Sequence, residues 1–187
     1  LIPVSAFAAW GATDSFDTYS NGNNWNTLNG GSGWASAYAA TLSGASTATI
    51  TNTTASDGTL SAQIVSPAGG GNEGQVLRTF TGTTVGTFQV AIRRNTTTQD
   101  GLLIRISDSG VSKNCDFFMD NTGNIYVSGA SNQTILAGYS ANTWYTLTID
   151  FDTGANTCRG KIDGGAYSTA VGWGGGSGAS VDRKSVV

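Results

Sequence analysis

The sequence predicts an all-β protein built as an antiparallel sandwich, and three observations lead to this fold class. In residues 145–152, aromatic and aliphatic side chains alternate with Thr and Asp at every second position, which is the period of a strand buried on one side. Turn residues follow at 152–156, and an Asp-Gly turn follows the next strand at Asp163. No segment repeats apolar residues at the three- and four-residue spacing of a helix.

Gly, Pro, Asn and Asp separate the predicted strands, because these residues favour turns. In chain order the strands are 12–19, 33–38, 47–51, 60–65, 74–81, 86–94, 101–107, 115–119, 125–127, 144–151, 157–162 and 167–171. The segment 120–124 (Asp-Asn-Thr-Gly-Asn) is a hairpin loop, and 172–178 is a glycine-rich loop. Roughly a dozen strands at this spacing predict a sandwich or a barrel. The asymmetric, aromatic-bearing strands favour the sandwich.

Length and composition indicate one ordered domain. A chain of 187 residues buries roughly 70% of the surface that its unfolded form exposes. Only 11% of the residues are charged, yet periodic apolar runs and aromatic residues abound, which argues against disorder. The net charge is -3, and the nine Lys and Arg residues are scattered, so we expect no nucleic-acid partner. No apolar run could insert this domain into a membrane.

Both ends of the chain differ from the rest. Residues 1–8 resemble the end of a secretory signal peptide, with Ala6 and Ala8 at the small-residue positions of a cleavage site. The alternative is an ordinary first strand. Residues 182–187 (Asp-Arg-Lys-Ser-Val-Val) match the translation of a common short-read sequencing adapter. We expect an artefact at the end of an environmental fragment, with a genuine basic strand end as the alternative. The domain itself is predicted to span 9–181, with its C-terminal strand truncated.

The two cysteines, Cys115 and Cys158, fall in predicted strands. In an exported protein they can form a disulfide, which would contribute about 4 kcal/mol in the chain-entropy model. Two buried free thiols are the alternative. Because the chain has no His, two cysteines alone disfavour a structural zinc site.

Several motifs carry a resemblance to a known superfamily. Residues 14–19 (Asp-Ser-Phe-Asp-Thr-Tyr) and 28–34 (Leu-Asn-Gly-Gly-Ser-Gly-Trp) resemble the opening of secreted bacterial laminin-G-like and concanavalin A-like domains. The part 86–168 is similar to the same superfamily in its Gly-Leu-Leu-Ile-Arg-Ile-Ser strand, its hairpin loop and its Asn-Thr-Trp-Tyr-Thr-Leu strand. The resemblance implies a concanavalin A-like (laminin-G-like) antiparallel jelly-roll sandwich. The opening is also similar to PEP-CTERM-type surface proteins, which implies a secreted or cell-surface location in a bacterium, as part of a larger surface protein.

The side-chain inventory argues against an enzyme. Without His, catalysis by Ser-His-Asp or Cys-His arrangements is excluded in its usual forms. A glycosidase needs two neighbouring carboxylates, and the resemblance implies a Glu-x-Asp-x-x-Glu strand for the hydrolases of this fold. The chain contains one glutamate, Glu73, and no such motif. Asp116 with Asp120, and Asp150 with Asp152, are the closest acidic spacings. Asp150 and Asp152 share the outward face of a strand, where solvated charge beside a turn is the simpler interpretation.

Calcium is a more plausible partner than a catalytic carboxylate pair. Loop aspartates supply the hard oxygen ligands that Ca²⁺ prefers, and the resemblance implies that such domains often carry one calcium ion. Candidate ligands lie near predicted strand ends, at Asp14, Asp17, Asp100, Asp108 and Asp120. Each of them can instead hydrogen-bond the backbone of its own turn.

Binding of a sugar requires an exposed aromatic ring flanked by polar side chains. The candidates are Trp25, Trp173 and Tyr139, which stand in loops rich in Gly, Asn, Ser and Thr. Covering the edge of the core is the alternative role for these rings, whereas Trp34 and Trp144 are expected to pack on the sandwich. Three open rings on one face would favour a lectin-like role, and buried or scattered rings would favour a structural role.

The sequence therefore predicts a non-catalytic module that binds carbohydrate or mediates adhesion, within an extracellular or cell-surface protein. Its partner would be a polysaccharide or glycan. The alternative is a structural or protein-interaction module without a glycan ligand. A glycoside hydrolase of the same fold is the third and least favoured class.

Overall fold

The computed structural model describes residues 11–67, 71–98, 101–108, 110, 113–175 and 181–186, with only the backbone described at 113, 114 and 181–186. These ranges contain strands and turns but no helix. The strands are β1 (Ala39–Leu42), β2 (Thr47–Thr51), β3 (Ser61–Val65), β4 (Gly74–Thr83), β5 (Val85–Arg93), β6 (Leu102–Ser107), β7 (Lys113–Met119), β8 (Asn124–Ser128), β9 (Asn132–Ala137), β10 (Trp144–Asp152), β11 (Thr157–Ile162), β12 (Val171–Gly172), β13 (Gly174–Gly175) and β14 (Val181–Val186).

Two antiparallel sheets make the sandwich. The large sheet has the order β1-β4-β14-β6-β7-β8-β9, with β13 paired to β7, and the small sheet has the order β12-β11-β10-β5. A separate hairpin pairs β2 with β3. The structure is therefore an all-β antiparallel sandwich of the jelly-roll type, as the alternating patterns predict.

The main core lies between the large and the small sheet. Ile104, Phe117 and Ile125 enter it from the large sheet, and Leu147 and Ile149 enter it from β10. The alternation predicted for 145–152 is confirmed, since Tyr145, Leu147, Ile149 and Phe151 are buried in this core. Every second residue of these strands therefore faces outward, so the outer face of each sheet can carry ligand-binding side chains.

A second apolar cluster lies under the β2–β3 hairpin. Trp25 and Tyr38 pack there against Ile50 of β2 and Val76 of β4. The ring of Trp25 is 5.3 Å from that of Tyr38, centroid to centroid. The cluster attaches the N-terminal segment 11–38 to the edge region of the large sheet.

Arg78 of β4 fixes this segment in place. Its side chain is 1% exposed, and its guanidinium lies over the rings of Trp34 and Tyr38, at 4.7 and 4.4 Å from their centroids. Its N–H groups donate to oxygens of the N-terminal segment, namely Asp14 Oδ2, Asn29 Oδ1 and the carbonyl oxygens of Gly30 and Ser36. A buried charge thus finds an opposite charge, dipoles and aromatic faces together.

The predicted strands 12–19 and 33–38 are wrong, and of the predicted strand 167–171 only Val171 lies in a strand. The segments 12–19 and 33–38 form only isolated bridges, between Thr13 and Ser32 and between Trp34 and Phe80. Phe16 has a φ of 66°, so the backbone leaves the extended region in the middle of the first segment. The alternating pattern there reflects packing onto Arg78 and the second cluster instead of a sheet.

The structure tests neither of the two predictions about the chain ends. Residues 1–8, assigned to a signal peptide, lie outside the described residues. β14 covers 181–186 and pairs with both β4 and β6, in the place where the sequence analysis expected the last strand to begin. Backbone pairing does not depend on side-chain identity, so the adapter origin of 182–187 stays a prediction. Within the described residues there is no helix with the length and apolarity that crossing a bilayer requires.

Candidate functional site

The three aromatic side chains predicted as sugar platforms are buried. Trp25 is 4% exposed, and Trp173 and Tyr139 are each 3% exposed. The prediction that these rings are open for stacking is therefore wrong. Gly, Asn and Ser neighbours identify a loop correctly, but they do not reveal that the loop folds inward.

Each buried ring has a structural role. Trp173 packs edge-on against Phe151 and donates its Nε1–H to the carbonyl oxygen of Thr157 at 3.0 Å. The hydroxyl of Tyr139 accepts a hydrogen bond of 2.6 Å from Arg94 and donates one of 2.9 Å to the carbonyl oxygen of Asp120. These bonds satisfy the polar ends of rings that otherwise complete the core.

Trp34 and Trp144 are expected to pack on the sandwich, and they differ in what they contact. Trp34 packs against the main core, which confirms its predicted role. Trp144 is half-buried, and its Nε1–H donates to Thr54 Oγ1 at 3.3 Å. It thus links β10 to the loop between β2 and β3.

Cys115 of β7 and Cys158 of β11 form a disulfide, with their Cα atoms 6.4 Å apart. The first strand belongs to the large sheet and the second to the small sheet. The bond therefore joins the two layers through the core, and the alternative of two free thiols is excluded.

The predicted calcium ligands do not converge. Asp14 Oδ2 accepts hydrogen bonds from Arg78 and Tyr19, and Asp17 Oδ1 accepts the N–H groups of Thr59 and Leu60. Among the described residues, Asp108 included, no group of three or more acidic, Cys or His side chains could hold a metal ion. Asp100 lies outside the described residues. Asp14 and Asp17 thus have other partners, and calcium binding stays a prediction.

Asp120 shows why these aspartates serve turns. Burial raises the pKa of its carboxyl, but hydrogen bonds from Asn124 and Thr122 outweigh that effect and hold the pKa below the usual value. The bonds from the two backbone N–H groups are 2.7 and 2.9 Å long. The carboxylate closes the β7–β8 hairpin, as the turn chemistry of Asp predicts.

An open groove of about 420 Å³ lies at the edge of the sandwich between β9 and the small sheet. Ile135, Leu136 and Ile162 line it, together with Tyr145 and Asp163. The Tyr145 hydroxyl accepts the Ser140 N–H, and the Asp163 carboxylate accepts the Thr146 N–H. Since its polar groups already bond the backbone, the groove offers little to orient a polar ligand.

The outer face of the large sheet is a better candidate for binding a polar ligand. Two parallel rows of outward side chains cross β6, β7, β8 and β9 there, and we call them the aromatic row and the polar row. The aromatic row consists of Leu103, Phe118, Tyr126 and Thr134, and the polar row consists of Arg105, Asp116, Ser128 and Asn132. Two residues along a strand separate the rows, which is roughly 7 Å.

An ion pair organises the polar row. Arg105 Nε and Nη2 donate to the two carboxylate oxygens of Asp116 at 2.8 and 2.7 Å. The hydrogen bond to Asp116 raises the pKa of Arg105, and the two-bond geometry fixes the plane of the guanidinium. The Arg105 side chain is 29% exposed against 7% for Asp116. Three of its five N–H groups have no partner among the described residues and are open to a ligand.

Two half-buried rings form the centre of the aromatic row. The centroids of Phe118 and Tyr126 are 5.3 Å apart, with their planes tilted by 42°. Phe118 lies over Gly101, where any side chain would collide with the ring. Burial, and next the charge of Asp120, raise the pKa of Tyr126, so its hydroxyl stays a neutral donor and acceptor. The rings offer an apolar surface beside a polar row.

Sequence reasoning missed this face, although a signal was present. Asp116 and Phe118 share the outward side of β7, and the prediction of a hairpin loop at 120–124 is confirmed. An aromatic residue on the polar side of a strand is the signal that points to a surface function.

Comparisons with known proteins bear on the fold alone. No protein-family model and no curated protein matches the sequence. Among solved structures, the chain is similar to a protein named sialidase, with a TM-score of 0.56 and 14% identity over 95% of this chain and 15% of that chain. It is also similar to an uncharacterised protein from Mycobacterium paratuberculosis (TM-score 0.45, 14% identity, 65% of this chain and 64% of that one).

A third similar structure is the carbohydrate-binding module CBM66 from Bacillus subtilis, with a TM-score of 0.40 and 10% identity over 60% of this chain and 73% of that one. The first match supports the sandwich fold, and the other two are too distant to support an argument. Because the chain spans only 15% of the sialidase chain, the likeness concerns one domain of a much longer protein.

Proposed function

We propose that the domain is a non-catalytic carbohydrate-binding or adhesive module of an extracellular or cell-surface protein. The observation that carries the proposal is the pairing of the aromatic row with the polar row on β6–β9. A sugar ring has an apolar face and a rim of hydroxyls. Phe118 and Tyr126 can stack on the apolar face, and Arg105, Asn132 and Thr134 can hydrogen-bond the hydroxyls.

The four carboxylates of the closest acidic spacings support a non-catalytic role. Asp116 is bound by Arg105, and Asp120 closes the hairpin loop. Asp150 accepts a hydrogen bond from Arg159, and Asp152 Oδ1 accepts the Ala155 N–H. A glycosidase pair needs one carboxyl group that can hold a proton and one that can act as base or nucleophile. These four are engaged in ion pairs and turns instead.

The buried disulfide supports the location. Such bonds persist in oxidising compartments, including the bacterial periplasm and cell surface. The likeness to a domain-sized part of a sialidase fits a module within a larger protein.

The test is binding of the disulfide-bonded protein to a panel of neutral polysaccharides, measured by affinity electrophoresis. We expect Tyr126→Ala to bind about tenfold more weakly, since an aromatic contact contributes about 1.4 kcal/mol. Tyr126→Phe should retain most of the binding because it keeps the ring. Val85→Ala, which shortens an exposed apolar side chain on β5 outside this face, is the control and should bind as the unmodified protein does.

A structural or protein-interaction module is the second candidate. The burial of Trp25, Trp173 and Tyr139 favours it, since loop platforms of the kind the sequence predicted are missing from these positions. If the folded protein binds no polysaccharide, or if Tyr126→Ala binds unchanged, this second candidate replaces the first.

A further inference from the structure

The outer face of the small sheet carries a second pair of cross-strand rows. In the first, Arg159 of β11, Asp150 of β10 and Thr87 of β5 stand side by side. Thr87 Oγ1 donates to Asp150 Oδ1 at 2.7 Å, and Arg159 Nη2 donates to Asp150 Oδ2 at 3.1 Å. The hydroxyl of Tyr167 also hydrogen-bonds Asp150, an effect that, after burial, raises the pKa of Tyr167. The carboxylate and the guanidinium of this row are thus engaged with each other.

The second row consists of Lys161, Thr148 and Gln89 on neighbouring strands. Gln89 Nε2 donates a hydrogen bond to Thr148 Oγ1 at 3.1 Å. In the described part of the chain, no carboxylate lies within ion-pair distance of the Lys161 ammonium. The nearest charged neighbour on its strand is Arg159, a like charge that Asp150 neutralises.

Tyr167 spans the charged ends of both rows. Its ring centroid is 4.3 Å from Arg159 Cζ and 4.5 Å from Lys161 Nζ. The ring is half-buried, so part of it faces solvent beside the ammonium group. An aromatic ring and an ammonium without a carboxylate therefore lie together, and the Gln89 amide stands two strands away in the same row.

We propose that Lys161, Tyr167 and Gln89 form a contact for the carboxylate groups of an acidic polysaccharide. Lys161 supplies the opposite charge, Gln89 supplies hydrogen-bonding groups, and the Tyr167 ring receives the apolar face of the uronic acid that carries the carboxylate. The proposal rests on the proposed function, since it requires a glycan-binding domain. It concerns a different face and a different class of sugar from the rows on β6–β9.

The test compares variants that carry equal charge. The probes are polygalacturonate, alginate and hyaluronan, with fully methyl-esterified polygalacturonate as the uncharged counterpart. We expect Lys161→Gln to bind the acidic polymers at least about tenfold more weakly, the effect of losing one charge-assisted hydrogen bond. Lys161→Arg should retain the binding.

Arg93→Gln is the matched control. It removes the same charge from the same outer face, where Arg93 bonds Asn142 and no carboxylate. It should therefore bind the acidic polymers as the unmodified protein does, and urea unfolding of every variant checks that the fold is kept.

Three results would overturn the inference. The first is an equal loss of affinity for Lys161→Gln and Arg93→Gln, which would indicate a general effect of net charge. The second is that dextran sulfate binds as tightly as the uronate polymers, which would indicate an unselective response to polyanions. The third is that none of the three uronate polymers binds. Failure of the two proposals is distinguishable. Tyr126→Ala reports on the neutral-sugar face, whereas Lys161→Gln reports on this one.

Discussion

Replacing Asp14 by Asn should destabilise the protein by about 3 kcal/mol. Arg78 and Asp14 form an ion pair of 2.8 Å in which the two side chains are 1% and 3% exposed. Removing the charge of one partner of a buried pair costs roughly 3–5 kcal/mol, because the other charge stays buried without its counter-charge. The lower end applies here, since Asn keeps an acceptor oxygen and the rings of Trp34 and Tyr38 remain over the guanidinium.

The assay is urea unfolding followed by both tryptophan fluorescence and circular dichroism. With a slope of about 2 kcal/mol per molar urea, a loss of about 3 kcal/mol lowers the midpoint by about 1.5 M. Two probes are needed because Trp25 reports on the second cluster, whereas the dichroism reports on the sheets. A midpoint that moves in fluorescence alone would show that the segment 11–38 detaches before the sandwich unfolds.

Asp116→Asn is the matched control for this prediction. It makes the same chemical change in the Arg105 pair, where the arginine is 29% exposed and water can solvate the charge that remains. We expect a loss of about 1 kcal/mol there. Equal losses for the two variants would refute the reasoning, since burial of the arginine would then have no influence on the cost.

Two further predictions concern the disulfide and Asp17. Replacing Cys115 and Cys158 together by Ser should cost about 4 kcal/mol, from the loop of 43 residues that the bond closes; an unchanged calorimetric melting temperature would contradict this. Hydrogen bonds from the backbone of Thr59 and Leu60 hold the pKa of Asp17 below its ordinary value of 3.8. The ionised Asp17 carboxylate thus stabilises the fold above pH 3.8, and this contribution is lost as the pH falls through the lowered pKa. An NMR titration that places the pKa of Asp17 at or above 3.8 would disprove the prediction.

The strand content of the sandwich could be read largely from alternation. The bounds predicted for Thr47–Thr51 and Thr157–Ile162 are those observed, and the strand predicted for 144–151 extends by one residue to Asp152. Where one face is buried, a period of two is imposed by packing, so the pattern is reliable.

Two of the strands that sequence reasoning missed lie where packing constrains the sequence least. β1 (Ala39–Leu42) and β9 (Asn132–Ala137) are the edge strands of the large sheet. Ala is a weak strand former, and the first half of β9 is polar. Such strands are held by backbone pairing on one side, which leaves little trace in residue type.

The candidate site was less accessible to sequence reasoning than the fold. The pairing of Phe118 with Tyr126 follows from the predicted hairpin loop, so a register argument could have found it. The connection 108–112 (Asp-Ser-Gly-Val-Ser) also contains turn residues, but they do not fix the register that pairs Arg105 with Asp116. Burial of Trp25 and Trp173 depends on contacts with residues distant in the chain, which local composition does not encode.

The place that β14 occupies has a consequence for how the protein folds, whether residues 182–186 are native or adapter-encoded. This strand, the latest in the sequence, lies between β4 and β6, where Val186 pairs with both Val76 and Ile104. During synthesis β4 and β6 emerge well before the strand that joins them, and until then each presents an unpaired edge. Pairings between residues so distant in the chain form slowly, and open edges recruit other chains. The nascent protein therefore passes through a stage in which its large sheet is split in two and is most prone to aggregate.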